Sequence, residues 1–172
     1  INILMRAKEL IRKKQVLFAT PALLDFLSHE YSKIDFIQNE KLLDVFASLD
    51  DTDVSASIKV WASNPDPILS DLCKRLVERR LFKIILQDKP FADGIAAKIR
   101  TSVKESLNLS EEELKYYFLE GKLVNNAYNS ASDRINILYR DGKICDIAEA
   151  ADTLNIKILS SPVEKYYICY PA

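Results

Sequence analysis

The chain has 172 residues, enough for one domain or two small lobes with a buried core. A hydrophobic fraction of 48% with only three glycines excludes a disordered or low-complexity chain. Twenty-four Lys and Arg against 25 Asp and Glu leave a net charge of −1, which excludes a broad electrostatic drive toward nucleic acid or an anionic membrane. No apolar run approaches the roughly 20 residues of a membrane-spanning helix. Cys73, Cys145 and Cys169 are widely spaced, without the close pairs of a metal site, and are expected to be reduced thiols in a cytoplasmic protein.

Residues 1 to about 79 read as helices. Ile3, Leu4, Ala7, Leu10 and Ile11 recur at helical spacing, with Glu9 and Lys13 one turn apart. This helix begins abruptly at Ile1 and is expected to be the tail of a longer one from a missing domain. Thr20-Pro21 restarts the chain with a cap and a first-turn proline, and Leu23, Leu24, Phe26 and Leu27 supply an apolar face. Asn39 is expected to cap a helix whose Leu42, Leu43 and Phe46 point inward. Asp50, Asp51 and Asp53 crowd the next helix start; capping outweighs a cation site there, because exposed N–H groups and the helix dipole already favour carboxylates. Val54, Ile58 and Trp61 form one stripe. Asp66 and Pro67 open the following helix, with Ile68, Leu69, Leu72, Leu76 and Val77 at core spacing.

After Arg80 the period changes. Residues 81–86 read as a strand, 92–107 as a helix, 114–121 as a second strand, 134–139 as a third, and 143–147 as its hairpin partner across Asp141-Gly142. A short helix near 149–154 and a last strand at 165–169 complete the order. The expected fold is α+β: a helical lobe (1–79) followed by a ferredoxin-like βαββ(α)β lobe (80–172), packed as one body.

Concentrated positive charge away from residues 6–14 falls on Lys74, Arg75, Arg79, Arg80 and Lys83. Arg79 is placed at a helix C-terminus and Lys83 on the adjoining strand, opposite in facing to Phe82 and Ile84. An arginine fork with a lysine point charge suits a polyphosphate. The competing reading is helix-end electrostatics, with Asp71 or Glu78 as simple partners. The remaining polar features have bland explanations. His29 lacks an evident catalytic partner and is read as a helix-end or exposed residue. Ser110 and Glu113 form a capping box, and Asn125, Asn126 and Asn129 suit turns, with Tyr128 packing nearby.

Several segments, in order, resemble bacterial HD-superfamily phosphohydrolases of the deoxynucleoside triphosphate triphosphohydrolase type. They are AKELI, LFATPALLDFL, LDDTDV, NPDPILSDL, RRLFK, NNAYN at 125–129, DRINILYRDGK at 133–143 and EKYYICYP at 164–171. The resemblance implies a helical HD domain preceding a mixed C-terminal region, hydrolysis of deoxynucleoside triphosphates to nucleoside and triphosphate, and a homo-oligomer. An HD centre uses an adjacent His-Asp pair, whereas the one histidine here, His29, is followed by Glu30. The resemblance therefore makes this chain the non-catalytic C-terminal region. No catalytic or metal-ligating residue is expected in it, and the divalent metal belongs to the missing HD domain. A mammalian relative with SAM and HD domains binds its regulatory nucleotide through an R-x-L-F-K segment, which Arg79, Leu81, Phe82 and Lys83 match. Arg79 and Lys83 are thus the expected regulatory nucleotide site, in a shared cleft. Two alternatives stand beside this: a purely structural module that builds the oligomer of a phosphohydrolase with another substrate, and an RNA-binding sheet carrying Tyr116-Tyr117 and Tyr166-Tyr167.

Overall fold

The computed structural model describes residues 1–125, 135–147 and 163–171. These form α1 (Asn2–Arg12), α2 (Pro21–Ser28), α3 (Lys33–Gln38), α4 (Glu40–Ala47), α5 (Asp51–Trp61), α6 (Pro67–Val77), β1 (Phe82–Gln87), α7 (Ile95–Ser106), α8 (Glu111–Leu114), β2 (Leu119–Asn125), β3 (Asn136–Leu138), β4 (Ile144–Asp146) and β5 (Val163–Pro171). The class is α+β, as expected. The expected features at Asn126, Tyr128, Asn129 and 149–154 lie outside the described residues.

Several helices start where the sequence supplies an acceptor. Asp50 accepts from the backbone N–H of Thr52 (2.6 Å) and Asp53 (3.2 Å), and Asp53 accepts from that of Asp50 (2.9 Å). This reciprocal capping box accounts for two of the three aspartates at 50–53. Asp66 accepts from Leu69 N–H at 2.8 Å, with Pro67 in the first turn. Ser110 and Glu113 form the anticipated box ahead of α8. Thr20 occupies the cap position of α2, but its side chain makes no capping bond.

Two apolar clusters meet on α6. Its Leu69 and Cys73 join Ala7, Leu10, Leu23, Leu27, Ile58 and Trp61 in the helical core, where Trp61 Nε1–H donates to Phe18 O at 2.8 Å. Its Ile68 and Leu72 join Val103, Leu114, Tyr116 and Tyr117 in the second core, with Ile3 of α1 packed against it. The spacing 68/72 and 69/73 puts each pair on its own side of one helix.

β5 is the central strand of the main sheet, order β1-β5-β2, and pairs antiparallel with both neighbours. β1 and β2 therefore run parallel to each other with β5 between them, and α7 connects them: a split βαβ unit, the repeating half of the ferredoxin-like pattern. The residues expected to extend that pattern instead pair with each other. β3 and β4 form a separate two-stranded ladder turned by Asp141-Gly142, with Gly142 at φ 84° and Lys143 N–H donating to Asp141 Oδ1 at 3.0 Å.

Three local expectations change. Residues 114–118 are not strand: the capping box winds one helical turn, and Tyr116, Tyr117 and Phe118 N–H donate to Glu113, Leu114 and Leu114 carbonyls, so β2 starts only at Leu119. Tyr116 and Tyr117 are consequently buried in the second core rather than displayed on a sheet. Leu43 and Phe46 are exposed while Leu42 is buried; Phe46 still meets the Phe26 and Phe36 rings edge-on, each at 5.8 Å. Leu76 and Val77, in the last turn of α6, are also exposed.

Candidate functional site: the α6–β1 junction and the open sheet face

The junction begins with how α6 stops. Arg79 N–H donates to Leu76 O (3.2 Å) and Arg80 N–H to Arg75 O (2.8 Å), the paired bonds of a Schellman cap. The cap needs a left-handed residue, and Arg79 supplies it at φ 58° where glycine is the usual choice. The backbone turns there and enters β1, whose Lys83 opposes Tyr170 of β5.

The five cations of this region separate by partner. Arg75 Nε donates to Asp71 Oδ2 at 2.7 Å, and Arg80 Nε to Glu78 Oε2 at 2.7 Å. Asp71 and Glu78 thus take two of the charges. Lys74, Arg79 and Lys83 are exposed and make no side-chain hydrogen bond or ion pair among the described residues. Among the described residues, neither Arg79 nor Lys83 lines the groove described next or the cavities at 67–117, 97–105 and 91–167.

The sheet has one covered and one open face. α7 packs against β5. The face that carries Ile168 and Tyr170 is the covered one: Ile168 is fully buried, and Tyr170 packs with the Val103 and Ile99 cluster. Strand alternation puts Tyr167, Cys169, Ile84, Leu119 and Leu123 on the other face. Together with Leu72 and Leu76 of α6 and Ile1 and Ile3 at the start of α1, they line an open groove of about 510 Å³. Leu81, Ile84 and Leu123 are 60%, 56% and 51% exposed. The polar groups in the wall are largely committed: Asn2 Nδ2 donates to Tyr116 O at 2.8 Å, and Arg75 is paired with Asp71. Burial raises the Cys169 thiol above its ordinary pKa.

At Gly121, directly across from Tyr167, a Cβ would come within 2.9 Å of the tyrosine hydroxyl. Glycine there lets Tyr167 lie flat along the sheet. The sequence carried a signal for this face: FKIILQ is nearly continuously apolar, the pattern of a strand meant to be covered on both sides.

At the opposite, N-terminal end of α6, a polar network ties α1 to α6 and to residues 115–116. Arg6 donates to Asp66 from Nε (3.1 Å) and Nη2 (2.6 Å). Its guanidinium lies 5.5 Å from the Tyr116 ring centre. Tyr116 donates its phenolic hydrogen to Glu9, and Lys115 pairs with Glu9 at 3.5 Å. The hydrogen bond from Tyr116, offset in part by burial, holds the Glu9 carboxyl at about 2.

His29 lies at the end of α2, exposed, with Nδ1 2.9 Å from Asp25 Oδ1, and Tyr31 donates to the same carboxylate at 3.0 Å. Among the described residues no group of three or more His, Cys, Asp and Glu side chains converges as a metal-ion site. No helix of the described residues is long and apolar enough to cross a membrane.

No family model matches the chain, and no curated protein matches it. Among solved structures, the chain is similar to a phosphohydrolase from Bacteroides thetaiotaomicron, with 37% sequence identity and a TM-score of 0.75. The similarity covers 99% of this chain and 42% of that one. The chain therefore spans less than half the length of the phosphohydrolase it matches.

Proposed function

We propose that this chain is the non-catalytic C-terminal region of a larger HD-superfamily phosphohydrolase that cleaves deoxynucleoside triphosphates, and that it serves assembly and nucleotide-dependent regulation. The observation that carries the reading is 37% identity along 99% of this chain to a phosphohydrolase more than twice as long. A metal-dependent reaction needs a metal centre, and the His29-Glu30 pair does not fit an HD ligand set. The divalent cation is accordingly assigned to residues outside this chain, and no catalytic step is routed through it. What this chain contributes is charge: Arg79 and Lys83, exposed and unspent, are the residues proposed to meet the phosphates of a regulatory nucleotide in a homo-oligomer, with the neighbouring domain or subunit completing the site.

The test uses the full-length phosphohydrolase, measuring triphosphate release against added GTP or dNTP. Arg79→Ala and Lys83→Ala should each raise the activating concentration by roughly one to two decades, the loss of about 1.5–3 kcal/mol for one charge-assisted contact. Unchanged activation in both variants sinks the regulatory assignment. The 172-residue chain alone, given dNTPs with Mg²⁺ or Mn²⁺, should release no triphosphate. Turnover that disappears on a substitution within it would overturn the non-catalytic reading.

A purely structural role is the second reading, and the open apolar sheet face favours it. Binding of single-stranded RNA is disfavoured. Tyr116 and Tyr117 are buried, and Tyr166 and Tyr167 point to opposite faces of β5, so they form no common stacking platform.

A further inference from the structure

We propose that the open face of the sheet is a docking surface for the preceding polypeptide of the same longer chain, and that an apolar helix or strand of that portion lies in the groove between α6 and the β1-β5-β2 sheet. The proposal rests on the reading that this chain is part of a larger phosphohydrolase, and names the surface by which the two parts meet.

Three observations select this occupant. The groove is walled mainly by Ile3, Leu72, Leu76, Ile84, Leu119 and Leu123; its polar residues Asn2 and Arg75 are already bonded within the chain, which leaves the Tyr167 hydroxyl and the Cys169 thiol as its polar side-chain groups. It therefore has little with which to recognise a polar small molecule such as a nucleotide, and an apolar protein surface is what it can bury. A continuous apolar face that reaches from Leu76 through Leu81 and Ile84 to Leu123 is larger than the scattered apolar residues normal on a free surface. Ile1 and the first turn of α1 form part of the wall, so under the proposed C-terminal reading the preceding polypeptide joins the chain at the groove, and the similar phosphohydrolase is more than twice as long as this chain. An intramolecular partner at that position binds at high effective concentration, without needing a large area.

Cys169 lines the groove and reports on its cover. The experiment measures alkylation of Cys169 by a maleimide, quantified by peptide mass spectrometry, in the 172-residue chain and in the longer chain that contains it. Labelling is expected to be at least about tenfold slower in the longer chain. Ile84→Glu and Leu123→Glu, introduced separately into the longer chain, are expected to return the rate to that of the 172-residue chain. Equal rates in the two chains overturn the proposal, and so does slow labelling that neither substitution relieves. Protection of the 172-residue chain that grows with its own concentration also overturns it, since a second copy would then be the occupant. Triphosphate release by the longer chain is read in the same preparations. Loss of that activity with Cys169 still protected would refute the proposed enzymatic function while leaving the docking surface in place.

Discussion

At Arg79 two demands fall on one residue. The Schellman cap wants a left-handed conformation, which costs a residue with a Cβ on the order of 1 kcal/mol relative to glycine. Lys14 and Asn108 carry the same geometry after α1 and α7, with the same pairs of bonds to the helix (Lys14 to Ile11 and Gln15 to Leu10; Asn108 to Glu105 and Leu109 to Lys104). With three glycines in the chain, none of these helices ends on one. Replacing Arg79 by glycine should therefore stabilise the 172-residue chain by about 0.5–1 kcal/mol in urea denaturation, whereas Arg79→Ala, which keeps the Cβ, should give little or no gain. A glycine variant no more stable than the alanine variant would show that the cap carries no strain. The cationic cluster was legible in the sequence because charge is a property of composition. The left-handed turn beneath it was not, because the usual glycine marker is missing. Which of the five cations would be neutralised was legible only as a list of candidates: Asp71 lies one turn from Arg75 and Glu78 two residues from Arg80, but the side-chain directions decide the pairing.

α6 is the element on which the fold turns, since it feeds both cores and its N-terminus is locked twice. Asp66 accepts from Leu69 N–H as a cap and from Arg6 as an ion-pair partner across 60 positions of sequence. Its side chain is largely buried, and that of Arg6 is similarly enclosed. Asp66→Ala should cost about 3–5 kcal/mol, combining a lost cap with a guanidinium left unpaired. Asp66→Asn keeps a capping oxygen and should cost distinctly less. Equal losses for the two substitutions in chemical denaturation would mean that the charge on Asp66 contributes nothing. The cap itself was readable from Asp66-Pro67, and so were the apolar stripes at 68, 69 and 72. The Arg6 partnership was not, since nothing local to either residue encodes a contact so distant in sequence. The error at 114–118 has a related cause. LKYYFLEG has high strand preference, but a four-residue capping box upstream and burial of both tyrosines against α6 and α7 override it, so tertiary packing decides what propensity left ambiguous. The separate β3-β4 ladder shows the same limit from the other side: its turn was legible, its failure to join the main sheet was not.

Across the whole molecule, acid should be the condition that separates the helical and sheet-bearing parts. The network that joins them contains carboxylates whose folded-state pKa lies below the ordinary value. The hydrogen bond from Tyr116, against the opposing effect of burial, lowers Glu9 to about 2. Asp66 is lowered as well: burial opposes the shift, and the bonds from Arg6 and Leu69 outweigh it. For groups depressed in this direction the unfolded chain binds more protons in acid, so their stabilisation is fully present above the unfolded pKa of about 4.3 for Glu and is lost as pH falls toward the folded value. For Glu9 that window runs from about 4.5 down to about 2. Capping carboxylates of α3 and α8, Asp35 and Glu113, are shifted the same way through their cap bonds, which adds to the slope without involving this network. Glu9→Gln isolates the network's share. At pH 7 the variant should be less stable on the order of 1 kcal/mol, or roughly 2–4 °C in Tm for a chain of this size, given the partial exposure of the pair. As pH falls through the window the wild-type carboxyl is progressively neutralised, so the gap between the two melting curves should narrow from about pH 4.5 and close only once the pH is below about 2. A difference that stays constant from pH 7 to 2.5 would show that the amide lacks a packing contact rather than a charge, and that the acid sensitivity of the molecule lies in its helix caps and not where its two cores meet.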